Sequence, residues 1–146
     1  MFVTNPIGIR GEETATDILR HKGYKILEHN WRMGHLEVDI IAENKKEIVF
    51  VEVKGRTTAF SNKLPEEYVD EDKKRRIIAA ANAYIKYHKV EKTPRFDIIG
   101  VLIDPDTGEV TYQNHLENAY TPHFRTVGKA TFSGENRWHY KSRKNI

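Results

Sequence analysis

From Gly8 to Lys22, the apolar residues Ala15, Ile18 and Leu19 recur at the spacing of a helix face, and Gly23 follows as a natural stop. Tyr24 to Arg32 reads as a strand of mixed character. His35 to Glu43 alternates, which places Val38 and Ile40 on one face and Glu37, Asp39 and Ile41 on the other. Glu47 to Lys54 (EIVFVEVK) has Ile, Val and Phe on both faces, the pattern of a central strand covered on two sides. Residues 55–64 read as a loop. Ile77, Ile78, Ala81, Tyr84, Ile85 and His88 then form one stripe of an amphipathic helix. Asp70, Glu71 and Asp72 stand at its start, where negative charge suits the helix dipole. Pro94 to Ile103 is another apolar strand, Asp104 to Gly108 a turn, and Glu109 to His115 a short strand. The order is α-β-β-β-α-β-β, an α/β chain without internal repeats. After about Phe124 the periodicity is weak and Gly, Ser, Asn and basic residues dominate. Residues 1–124 are therefore expected to form the domain, and 125–146 a poorly ordered or peripheral tail.

Length agrees: 146 residues suffice for one ordinary domain and are too few for two. The absence of cysteine excludes a disulfide scaffold, a thiolate zinc site and a cysteine nucleophile. Charge changes the picture more. The chain has 24 Lys and Arg against 21 Asp and Glu, a net +3, but the tail holds six of those cations and one acid, Glu135. The body is thus slightly acidic, and nucleic-acid binding by the body must come from local patches. No apolar run approaches the ~20 residues of a membrane span, and the first residues lack a long apolar signal region, so a cytoplasmic, membrane-free protein is expected.

The candidate chemistry lies in the hairpin between the second and third strands. If its turn centres between Lys45 and Lys46, Asp39 lies opposite Glu52, Glu37 opposite Lys54, Val38 opposite Val53, Ile40 opposite Val51 and Ile41 opposite Phe50. A one-residue slip would destroy the agreement of faces, whereas a two-residue slip would keep it. In either register Asp39, Glu52 and Lys54 share a face. One reading is a solvated sheet face with a Glu52–Lys54 surface pair. Against it, the strand is apolar on both sides, and a buried carboxylate without a cation is costly. Two carboxylates and a lysine also supply hard oxygen ligands for magnesium and a cation for a phosphate or an attacking water. Glu12 shares the first helix's inward stripe with Ala15, Thr16 and Leu19, whereas Glu13 falls on the polar side. Alone, Glu12 reads as a first-turn acid favoured by the dipole; with Asp39, Glu52 and Lys54 it reads as part of a site. The seven histidines show no short metal-ligand spacing.

Gly11-Glu12-x-x-Ala15, Gly23-Tyr24-Lys25-Ile26-Leu27, Asn30-Trp31-Arg32, Glu37-Val38-Asp39-Ile40-Ile41-Ala42, Val49-Phe50-Val51-Glu52-Val53-Lys54-x-Arg56 and Arg95-Phe96-Asp97 together resemble the bacterial YraN-like family. That family is related to restriction endonucleases and archaeal Holliday-junction resolvases, and the likeness covers roughly residues 8–124. It implies a restriction-endonuclease-like core, a mixed central sheet flanked by helices, with the catalytic pattern Asp…Glu-x-Lys. Asp39, Glu52 and Lys54 then take the metal and lysine positions, the backbone carbonyl of Val53 joins the metal ligands, and Glu12 matches the helix glutamate of the resolvase branch. The chain departs from the family at Leu36, where a glycine is usual, and at Ser61, where a glycine commonly follows the phenylalanine.

Two further cations are open to two readings each. Lys73, four residues before Ile77 on the inward stripe, either holds a phosphate at the helix N-terminus or heads a solvated run with Lys74, Arg75 and Arg76. Arg56 either contacts a phosphate or caps the sheet end. The expected function is a magnesium-dependent endonuclease-like protein, with manganese able to substitute, that hydrolyses phosphodiesters in nucleic acid. DNA, including branched or single-stranded forms, is the expected partner. The alternatives are a module that binds nucleic acid without cutting it and a structural protein whose acids form a salt-bridge network. The oligomeric state is open, a homodimer included.

Overall fold

The computed structural model describes residues 5–58, 63–122, 130–132 and 138–140. In chain order it contains α1 (Pro6–His21), β1 (Lys25–Met33), β2 (Leu36–Glu43), β3 (Glu47–Thr57), one 3₁₀ turn (Pro65–Tyr68), α2 (Glu71–His88), β4 (Thr93–Ile103), β5 (Val110–Tyr120), β6 (Ala130–Phe132) and β7 (Trp138–Tyr140). The first five strands form one sheet in the order β1-β2-β3-β4-β5. Only β3 and β4 run parallel, joined by the crossover through α2; the other pairs are antiparallel. The result is the mixed sheet flanked by helices expected of a restriction-endonuclease-like core. β6 and β7 pair with each other as a separate two-stranded sheet. The expectation of a loosely ordered tail otherwise concerns residues outside those described. Among the described residues no helix is long and apolar enough to cross a membrane.

Each helix is set by its caps. Asn5 accepts from the Ile7 and Gly8 amides and Pro6 opens α1. Gly23, at φ +91°, ends it. Asp70 caps α2 through the Lys73 amide at 2.8 Å. The helices cover opposite faces of the sheet. Ala15 and Leu19 of α1 pack on Ile40, Ala42, Val49, Val51 and Val53, whereas Ile77, Ala81 and Tyr84 of α2 pack on Ile41, Ile48, Phe50 and Phe96. The central β3 is therefore buried on both faces, as its composition requires. Trp31 belongs to this packing, edge-on to Tyr84 at 5.2 Å.

Several expected details differ. β3 does not stop at Lys54: Gly55, Arg56 and Thr57 stay extended because Val101, Leu102 and Ile103 of β4 lie alongside them. β5 runs on to Tyr120 past an irregularity at Asn118, which has φ +52°. Leu36 needs no glycine, because Gly34 at φ +62° makes the β1–β2 turn and leaves Leu36 to pack on the α2-side core. The departure at Ser61 lies outside the described residues.

The most consequential difference concerns the β2–β3 ladder. Its register is the expected one, Ile40 opposite Val51 and Ile41 opposite Phe50, but the pairing ends there and does not continue through Asp39, Val38 and Glu37. Nor do Val38 and Ile40 share a face: Val38 joins the α2-side cluster and Ile40 the α1-side cluster. The cause lies across the hairpin. Asn30 of β1, between the pairs His29–Ile40 and Trp31–Val38, has φ +50°. A left-handed residue in a strand turns the ribbon over at that point, so β2 leaves the plane of β3 at Asp39.

Candidate active site

The gap opened at Asp39 collects the candidate residues. Asp39 Oδ2 accepts the backbone N–H of Val53 at 2.8 Å, so its carboxylate stands where strand pairing has ceased. On β3, Glu52 is almost wholly buried, at 3% exposure. Its carboxylate and that of Asp39 are near enough to act on each other's ionisation. Glu52 Oε2 is 3.6 Å from Lys54 Nζ and 3.7 Å from Lys73 Nζ, and Glu52 Oε1 is buried without a hydrogen-bond partner.

Glu12 enters from the α1 side. α1 lies against the end of β3 at a contact between glycines. A Cβ on Gly11 would come within 3.3 Å of Gly55 Cα, and one on Gly55 within 3.1 Å of the Ile7 carbonyl oxygen. This approach brings the first turns of α1 to the gap. Glu12 is half-buried there, accepts a 3.3 Å hydrogen bond from Asn30 Nδ2 and feels the Asp39 charge; Glu13 is exposed beside Arg10. Glu12 also borders a groove of about 550 Å³ between α1 and β1, with Arg20 and His29 on its walls.

Lys73 enters from the α2 side. Its neighbours Lys74, Arg75 and Arg76 pair with Glu71 and Asp72 in the first turn. Lys74 also lies over the Tyr120 ring, at 5.4 Å, and among the described residues of this run Lys73 is the one that reaches Glu52. The site thus straddles the sheet: α1 supplies an acid from one face, α2 a cation from the other, and β2 and β3 the acids and lysine between them.

Electrostatics follow from this enclosure. Burial, then the neighbouring Asp39 charge, pushes Glu52 from 4.5 up to about 8. Burial also raises Asp39, partly offset by the Val53 N–H, and raises Glu12, helped by Asp39. Two full negative charges on this enclosed pair are therefore disfavoured unless a cation joins them. Among the described residues no three Asp, Glu or His side chains converge as a metal-ligand set; the convergent unit is the pair.

Arg56 stands outside this cluster. It is exposed, two residues beyond Lys54, with Nη1 donating to the Gly55 carbonyl at 2.9 Å and the guanidinium carbon 5.0 Å from the Tyr68 ring centroid. Arg95-Phe96-Asp97 is also separate. Phe96 packs between Phe50 and Tyr120, and Arg95 and Asp97 build a buried network with Tyr24, Glu47 and His115. Every Asp97 oxygen has a donor, and although burial acts to raise its pKa, His115, Arg95 and the Asn118 amide hold it below the ordinary value. This network serves the fold.

Sequence reading gave no role to Asn30, Gly55 or Glu66. Asn30 and Gly55 lie within the motif segments quoted above, but their work, a left-handed turn and a close helix approach, depends on partners far along the chain.

Residues 11–101 match the model of the uncharacterised protein family UPF0102. Relatives described as UPF0102 proteins span nearly the same length. One from Parabacteroides distasonis is 42% identical over 116 residues, 80% of this chain and 93% of its own. One from Porphyromonas gingivalis is 41% identical over 80% of this chain and 84% of its own. One from Caldanaerobacter subterraneus is 43% identical over 78% of this chain and 93% of its own.

Proposed function

Because the chain belongs to the UPF0102 family, whose YraN-like members resemble restriction endonucleases and resolvases, we propose that it is a magnesium-dependent endonuclease acting on DNA, branched or single-stranded forms included. The observation that carries this reading is the buried Asp39–Glu52 pair with Lys54 and Lys73 on Glu52 Oε2 and an unpartnered Glu52 Oε1. Magnesium is bound through one or two carboxylates plus water and substrate phosphate, with oxygen donors throughout. The donor set fits that demand, and the orphaned Oε1 gains a partner when a cation enters.

Asp39 and Glu52 would hold the metal together with the Val53 carbonyl, and Glu12 would complete the shell or hold one of its waters. Manganese would serve in its place. The bound metal supplies charge neutralisation at the phosphate and lowers the pKa of water. Lys54 orients the attacking water and stabilises charge on the phosphate. Lys73, released from Glu52, offers a second cation at the α2 N-terminus, where amide dipoles already favour an anion. Arg56 contacts the nucleic-acid backbone. Water attacks phosphorus in line and gives up a proton to solvent, the P–O3′ bond breaks, and the leaving 3′ oxygen takes up a proton, which gives 5′-phosphate and 3′-hydroxyl ends.

The test is a panel of labelled single-stranded, duplex, flap and four-way substrates with magnesium or manganese, run beside Asp39→Ala and Lys54→Ala. Metal-dependent cleavage by the wild type alone is expected. Cleavage by none of the three, or equally by all three, overturns the reading.

A further inference from the structure

Glu66 and Tyr68, on the 3₁₀ turn, are unused by the chemistry above. Glu66 is 6% exposed, a carboxylate sunk into the sheet face that carries Lys54. Its Oε2 accepts from Tyr112 Oη at 2.5 Å and Asn114 Nδ2 at 2.8 Å, both on β5. Its Oε1 lies over Gly100 of β4, where a Cβ would come within 2.3 Å of it. No side chain but glycine fits beneath. Glu66 thereby fastens the 3₁₀ turn to two strands, and Gly100 is the residue of β4 paired with Lys54. Tyr68, two residues on, inherits a fixed position over the end of β3.

At that position two cations meet one ring. The Arg56 guanidinium carbon is 5.0 Å, and Lys63 Nζ 4.6 Å, from the Tyr68 centroid. Arg56 is held twice, by the ring and by the Gly55 carbonyl, and among the described residues its other N–H donors are left for a ligand. A guanidinium fixed in this way is suited to phosphate oxygens. Lys54 and Arg56 are two apart on a regularly paired strand, so they share a face at about 6.6 Å along it. That is near the spacing of successive phosphates on one polynucleotide strand.

We propose that Arg56, positioned by Tyr68 and flanked by Lys63, is the subsite for the backbone phosphate next to the one cleaved, so that the substrate strand runs along the end of β3 from Lys54 to Arg56. The proposal rests on the nuclease reading for its reference phosphate. Its ligand is the sugar–phosphate backbone of a single strand, and Tyr68 acts through Arg56 as a positioning residue.

The test is metal-free binding, by anisotropy in chelator, of a fluorescein-labelled oligothymidylate across a salt series. The full chain is compared with Arg56→Gln, Tyr68→Ala, Tyr68→Phe and the Arg56→Gln/Tyr68→Ala double variant. Losing one phosphate contact lowers the log–log salt slope by about 0.7 for a single strand. The expected result is that loss in Arg56→Gln, the same loss in Tyr68→Ala, no further loss in the double variant, and a wild-type slope in Tyr68→Phe, whose ring remains. A destabilised but folded variant would not change the slope in this pattern. Unchanged slopes in the single variants, or losses that add in the double, overturn the proposal while leaving a wild type that binds and cuts. A wild type that binds no oligonucleotide in chelator overturns the proposal, while the nuclease reading stands or falls separately on the cleavage panel.

Discussion

Asp39 Oδ2 takes the Val53 backbone N–H at 2.8 Å at the point where β2 and β3 stop pairing. One side chain thus closes the end of a ladder and presents a carboxylate to Glu52. Asparagine can still accept from Val53 through its amide oxygen, so Asp39→Asn is expected to fold and to lose only charge. Magnesium binding should weaken, and cleavage should fall by ~10²-fold or more, as for other groups acting on transition-state charge. Nucleic-acid binding without metal should hold or tighten, because a carboxylate that repels phosphate is gone. Titration calorimetry with magnesium and single-turnover cleavage check this; a variant that cuts like the wild type removes Asp39 from the site.

Lys54→Ala separates a catalytic lysine from a structural one. Its Nζ is 3.6 Å from Glu52 Oε2, and its assigned work is on water and phosphate. Cleavage should be lost while magnesium affinity persists. If the cluster is only a salt-bridge network, Lys54→Ala and Asp39→Asn will instead chiefly lower the melting temperature, with no metal-dependent cleavage in any form of the protein.

Glu52 makes stability depend on pH with a definite sign. Burial and the Asp39 charge raise its pKa from 4.5 to about 8. Between those values the native state holds a proton that the unfolded chain has released, so this contribution is complete below about pH 4.5 and lost as pH rises through 8. The raised Asp39 acts in the same direction. Glu52→Gln cannot ionise, so its melting temperature should gain on that of the wild type from pH 5 to pH 8 and then level. A constant difference across that window would show that Glu52 is not the group holding the proton.

Gly55→Ala tests the seating of α1. The new Cβ would stand 3.1 Å from the Ile7 carbonyl and 3.6 Å from Gly11 Cα, both backbone atoms. Overpacking of this kind costs about 1–3 kcal/mol, and relief by moving α1 also moves Glu12. Denaturant unfolding should show the loss, with cleavage reduced beyond it. An unchanged midpoint would mean that α1 shifts freely and does not fix Glu12.

The tail carries the chain's positive excess. Removing residues 125–146 should weaken nucleic-acid binding and flatten its salt dependence, with cleavage at saturating substrate retained. An unchanged slope would show that the tail does not touch phosphates.

What the sequence disclosed, and what it withheld, divides at particular residues. The hairpin register was legible because Ile40, Ile41 and Ala42 face Val51, Phe50 and Val49 respectively, and a one-residue slip would send every side chain to the wrong face of the sheet. Glu12 was separable from Glu13 because a helix face repeats faithfully. The inversion between Val38 and Ile40 was hidden, since alternation assumes a regular strand and the left-handed residue causing the break, Asn30, belongs to the neighbouring strand. The extension of β3 through Thr57 was hidden for a related reason. Gly55-Arg56-Thr57 has loop-like composition and is held extended by β4, more than forty residues away. Lys73 was ambiguous because four consecutive cations look alike until the acids of the first turn are seen to engage the other three.

The parallel pairing of β3 with β4 has a consequence for the chain as it is made. Synthesis delivers β1, β2 and β3 first, and β4 only after the whole of α2. Until Thr93 and the residues after it arrive, Ile48, Phe50, Val51 and Val53 lie on an open strand edge with nothing beside it. Such an edge is a template for pairing with another chain. A product stalled or clipped between His88 and Thr93 would carry Glu52 and Lys54 on an edge open to a second chain, and β4 does for solubility what those charges alone cannot.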